Sequence, residues 1–124
     1  MKLNLFFKIW SVLYGSFGLG LFLIPSLFMS QYGVALNDTG VLMARILGSS
    51  LTASAILFFL NRNVSTDGKS QLNILRTNLV YNIFDTPVVL MAVLNGTMNA
   101  MGWIPVVLHI FLACSFGYFA FKKQ

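Results

Sequence analysis

Asn78, Asn82 and Asp85 follow one another at spacings of four and three residues. On a helix of about 3.6 residues per turn this places two amides and an acid on one stripe, continued by Val89, Ala92 and Gly96. Three further polar side chains sit inside other apolar runs: Tyr14, Arg45 with Gly48, Ser49 and Thr52 on its side, and His109. The chemistry open to such a set is narrow. A carboxyl and a guanidinium can pair, a protonated acid can hydrogen-bond to an amide, a phenol or an imidazole, and an unperturbed histidine can pass a proton near neutral pH. Neither His109 nor Tyr14 has a partner at metal-ligand or catalytic-triad spacing, so no catalytic residue and no metal ligand is assigned.

These residues stand where they are expensive. A charged or strongly polar side chain in a membrane-spanning helix costs roughly 2.5–3.5 kcal/mol on insertion scales, and such groups normally face a protein interior. Tyr14, Arg45, Asn78, Asn82, Asp85 and His109 are therefore expected to line a polar intramembrane pocket where four helices converge. At about 1.5 Å per residue, Arg45 lies roughly 7 Å, His109 about 10 Å and Asp85 about 14 Å from the outer ends of their spans. An Arg45–Asp85 pair is within reach of an arginine. Side chains lean toward the amino end of their helix, however, so Arg45 leans outward and Asp85 inward. Arg45 snorkelling to the outer headgroups or meeting Asp38 stays open beside that pair. So does a protonated Asp85 bonded to Asn82, Tyr14 or His109.

The elements that carry these groups follow from composition. Of 124 residues 57% are hydrophobic and 9% charged, with eight Lys and Arg against three acids. A water-soluble domain has roughly a quarter of its residues charged, so lipid is the expected solvent. Apolar stretches at about residues 5–24, 41–60, 77–95, this one with a more polar lead-in from Gln71, and 102–121 each reach the roughly 20 residues that a crossing helix needs. The expected fold is a single all-α membrane domain over residues 1–124, an antiparallel bundle of four transmembrane helices. The start MKLNLFFK imitates a secretory signal, but its apolar run is long and no small-x-small cleavage site follows Pro25, which makes it a helix. Between the first and second spans, Pro25 can open a short interfacial helix with Leu27, Phe28 and Tyr32 on one face, Phe28 and Tyr32 anchoring it, and Gly33 can end it.

Charge placement sets the threading. Lys2 and Lys8, Arg62 and Lys69, and Lys122 and Lys123 mark the amino end, the middle loop and the carboxyl end, whereas stretches 26–40 and 96–102 have no Lys or Arg. The positive-inside rule then puts both termini and the middle loop in the cytoplasm. The net charge of +5 forms no basic patch with interleaved aromatics, so nucleic acid is not an expected partner. Small residues predict helix contacts at Ser11, Gly15 and Gly18, at Ala44, Gly48 and Thr52, and at Ala113 and Gly117. Pro87 cannot donate to the carbonyl of Ile83 and predicts a kink beside Asp85. Cys114 reads as a small packing residue. No glycine-rich phosphate cradle, HExxH, GxSxG or EF-hand loop is present, which excludes nucleotide chemistry.

The runs GLGLFLIPSLFMSQYG, GVLMARILGSSL and NAMGWIPVVLHIFLACSFGYF together resemble small bacterial four-helix membrane proteins of the DoxX-like kind. The resemblance covers nearly the whole chain. It rests on Pro, Phe and Gly after the first span, on Ala44, Arg45 and Gly48 opening the second, and on Trp103 and His109 in the fourth. It implies an inner-membrane four-helix bundle whose relatives are linked to quinone-associated oxidoreductase subunits or to accessory and chaperone-like roles. No cofactor ligand is visible in this chain. The functional expectation is a non-enzymatic accessory or binding subunit, its partners the bilayer, a small lipophilic ligand, and a membrane protein or second copy. The alternative is a quinone-linked or proton-coupled enzyme or carrier that uses Asp85 and His109.

Overall fold

The computed structural model describes residues 2–63 and 69–122; Lys123 and residues 64–68 of the middle loop, used in the charge argument above, lie outside them. The protein is all-α, with no strand among the described residues, and four of its helices are long and apolar enough to cross a membrane. Two antiparallel helix hairpins make up the chain, residues 1–65 and 66–124.

In the first hairpin α1 (Leu3–Leu23) packs against α3 (Asp38–Asn61), with the short α2 (Pro25–Ser30) between them. Small residues decide how closely the two backbones approach, since lipid supplies no hydrophobic drive between helices. A Cβ at Gly48 would lie 2.6 Å from the Gly18 carbonyl oxygen, and one at Gly18 would lie 2.7 Å from the Thr52 nitrogen. The Ser11 hydroxyl donates across the same interface to the Ala55 carbonyl at 2.8 Å. The predicted contact residues of both helices are thus at the seam. Toward the amino end of α1 the seam turns aromatic, with Phe7 edge-on to Phe58 at 5.4 Å, and the Asn4 and Asn63 amides hydrogen-bond.

α2 opens at Pro25 as expected, and Gly33, at φ 76°, closes the turn after it. Phe28 lies against α1. Its ring folds back onto α1, 5.4 Å from the Phe17 ring and close over Gly20, whose lack of a side chain makes the space. α3 begins at Asp38, three residues before the predicted span, because Asn37 caps it by accepting from the Gly40 N–H at 2.8 Å, and Asp38 in the first turn complements the helix dipole.

In the second hairpin α4 (Lys69–Leu94) packs against α5 (Trp103–Phe121), joined by a turn with Gly96 at φ 78° and a single 3-10 turn over Ala100–Gly102. α4 starts eight residues before the predicted span, its polar lead-in being amphipathic: Gln71, Ile74 and Leu75 are buried, while Lys69, Asn73 and Arg76 are exposed. Its 26 residues would measure about 39 Å, more than a hydrocarbon core of about 30 Å, so the first turns have the composition of a boundary segment. The helix runs through Pro87.

Candidate functional site

Asp85 and His109 meet across the second hairpin. Asp85 Oδ2 lies 2.8 Å from His109 Nε2, the two side chains being 30% and 16% exposed. His109 Nδ1 lies 2.6 Å from the carbonyl oxygen of Pro105, one turn back on α5. Ridge spacing explains the meeting: Asp85 is on the face of α4 turned to α5, and antiparallel pairing of the two helices brings these levels together, as it does Leu79 with Gly117 and Val93 with Gly102.

The two contacts fix the protonation chemistry. A carbonyl oxygen only accepts, so Nδ1 carries a proton and donates it to Pro105. Nε2 then faces Oδ2 in one of two ways: an imidazolium N–H donating to a carboxylate, or a carboxylic O–H donating to neutral imidazole. Both hold one proton between Nε2 and Oδ2, and both leave the pair neutral overall. The acid and the imidazole therefore work as a single one-proton unit.

Two neighbours that the sequence reading missed complete the site. Pro105 supplies the carbonyl that fixes the tautomer. Tyr81 places its ring 6.3 Å from the His109 ring. Both stand four residues before a singled-out residue, Tyr81 before Asp85 and Pro105 before His109, and that spacing was the signal that could have found them.

Of the remaining predicted residues, Asn78 and Asn82 share α4 with Asp85, and Tyr14 and Arg45 belong to the first hairpin. Asn78 donates its amide to the Ile74 carbonyl at 2.9 Å and Asn82 to the Asn78 carbonyl at 2.7 Å; the Thr86 hydroxyl continues this ladder to the Asn82 carbonyl at 2.6 Å. These three thus direct donors into their own helix, with Asn82 fully buried. Tyr14, in the first hairpin, is buried with its ring 5.3 Å from that of Phe58. Arg45 is exposed on α3, its carbonyl accepting from the Ser49 hydroxyl at 3.0 Å. Antiparallel pairing sets Tyr14 level with about Thr52, so Tyr14 and Arg45 are separated by roughly 10 Å along the hairpin and are not brought together. Cys114 is exposed on α5 and does not pack inside. Among the described residues no group of three or more His, Cys, Asp or Glu is placed to hold a metal.

No known protein family, curated protein or solved structure matches the chain.

Proposed function

We propose that the chain is a small multi-pass protein of the inner membrane, both termini cytoplasmic, that serves as a non-enzymatic accessory or binding subunit. Its ligand is a small lipophilic molecule whose polar group reaches the Asp85–His109 pair from within the bilayer. The observation that carries this reading is the pair itself: two ionisable groups at 2.8 Å inside helices apolar enough to span. Each would cost several kcal/mol alone in hydrocarbon, and shape alone does not require them. A DoxX-like affiliation and a membrane partner or second copy fit the same reading. Asn78 and Asn82 act in it as helix-bound scaffold beside the acid.

The test is native mass spectrometry of protein released from its own membrane, wild type beside Asp85→Asn and His109→Gln. A bound lipophilic species should be retained by the wild type and lost from both variants, with helix content by circular dichroism unchanged. Equal retention by all three would overturn the reading.

The shared proton favours a second reading, a proton-coupled carrier or enzyme, quinone-linked ones included. Reconstituted vesicles separate the two: a carrier or enzyme gives proton flux or turnover that Asp85→Asn abolishes, and a binding subunit gives none.

A further inference from the structure

We infer that the Asp85–His109 site takes a lipophilic monovalent cation in exchange for one proton; this rests on the ligand-binding reading above and names its ligand class. Three observations carry it. First, with Nδ1 committed to the Pro105 carbonyl, the pair has a neutral state holding one proton and a state of charge −1 holding none. The second is disfavoured in hydrocarbon unless a positive charge replaces the proton. Second, the carboxyl retains an open position. His109 takes Oδ2, and the Asp85 side chain is still 30% exposed. Third, Tyr81, Phe84, Asp85 and Val88 fall at i, i+3, i+4 and i+7 on α4 and form one face. Phe84 is 72% and Val88 64% exposed, and the Tyr81 ring stands 6.3 Å from the His109 ring, so the carboxyl lies at the edge of an apolar, aromatic face. A carboxylate at the edge of an apolar, aromatic face suits an organic cation with a greasy body, each ring contact that the cation makes adding roughly a few-fold to thirtyfold in affinity.

The exchange balances. The cation arrives with charge +1, the proton between Nε2 and Oδ2 leaves to water, neutral His109 keeps its Nδ1 proton on Pro105, and the site stays neutral. On α4 and α5 the other titratable side chain facing the pair is Tyr81; Arg76 is about 14 Å away along the helix, and Cys114, Tyr118 and Lys122 are exposed elsewhere on α5.

The probes are tetraphenylphosphonium and the uncharged triphenylphosphine oxide, titrated into purified protein by calorimetry in two buffers of different ionisation enthalpy, from about pH 6 to pH 9. The expected result is one proton released per phosphonium bound. Its affinity should rise about tenfold per pH unit while the pair is protonated and then level off. The oxide should bind without proton release, and Asp85→Asn should lower phosphonium affinity at least about tenfold. Should that variant fail to fold, the proton count and pH slope of the wild type decide alone. Phosphonium binding with no proton release, or with a flat pH profile, overturns the exchange. Binding of the oxide alone, lost in Asp85→Asn, overturns the cation assignment and leaves the ligand-binding reading standing. If neither probe binds, and native mass spectrometry also finds no ligand that depends on Asp85, both fall together.

Discussion

Asp85 Oδ2 and His109 Nε2 lie 2.8 Å apart while His109 Nδ1 donates to the Pro105 carbonyl at 2.6 Å, so the imidazole has one orientation and one neutral tautomer. The expected outcome in ¹⁵N NMR of histidine-labelled protein is an Nδ1 that stays protonated at every pH where the protein is folded, with titration confined to Nε2. Asp85→Asn should hold the ring neutral over the same range, because an amide N–H can donate to Nε2 without supplying a charge. A neutral ring protonated at Nε2 instead would show that the Pro105 bond does not govern it.

Much of this arrangement was legible in the residues. Four spans followed from hydropathy, and the seam of the first hairpin followed from Gly18, Gly48 and Thr52, because close packing of backbones leaves no room for larger residues at those points. The alternative in which Asp85 bonds to His109 was open beside Asn82, Tyr14 and Arg45. Spacing could not choose among them, since the choice depends on the rotation of α5 about its axis. The amides also bond within their own helix. Asn78 and Asn82 share a stripe with Asp85, yet an asparagine in a helix can satisfy its donor on the carbonyl four residues back, and both do. α4 begins at Lys69, two residues before the polar lead-in that could be read from Gln71, and Gln71 occupies a buried position of that lead-in.

The first hairpin offers a steric contrast between two glycines. A Cβ at Gly48 would meet the Gly18 oxygen and the Phe22 nitrogen, both at 2.6 Å, and backbone atoms cannot swing aside; one at Gly15 would meet only the Ala55 Cβ at 3.6 Å. Gly48→Ala should therefore cost about 1–3 kcal/mol by forcing α1 and α3 apart. Gly15→Ala should be neutral or stabilising by up to about 1 kcal/mol, since alanine restricts the unfolded chain. Unfolding of the two variants in mixed micelles measures the difference, and equal stabilities would contradict the seam described above.

Tyr32, in the segment between α2 and α3, has its hydroxyl pushed above the ordinary tyrosine value of 10.0 by burial. A folded-state value above the unfolded one means that its contribution to stability is complete below the unfolded value and is lost as pH rises through the folded one. The contribution of Tyr32 to the melting temperature should accordingly hold level up to about pH 10 and decline above it. Tyr32→Phe, which keeps the ring beside Phe28 and removes the ionisable group, should make that alkaline decline shallower. An unchanged decline would mean that the loss arises at other tyrosines or at lysines.

Threading can be checked from the two kinds of turn. Thr97, in the exposed turn after α4, lies in the stretch without Lys or Arg, and Asn63 lies beside Arg62 at the end of α3. In a Cys114→Ser background, Thr97→Cys should react with a membrane-impermeant maleimide on intact cells, whereas Asn63→Cys should react only after permeabilisation. The physical cause is the cost of moving Lys2, Lys8, Arg62, Lys69 and Lys122 across the membrane against the bias that retains cationic loops on the cytoplasmic side. Reversing that bias should reverse the result. Arg62→Ser with Lys69→Ser, combined with Ala35→Lys and Met98→Lys in the two stretches that carry no cation, should expose Asn63→Cys to the reagent in a measurable fraction of molecules. If labelling of the parent protein is the opposite of that expected, Asp85 and His109 lie nearer the cytoplasmic leaflet, and a lipophilic ligand would have to enter from that side.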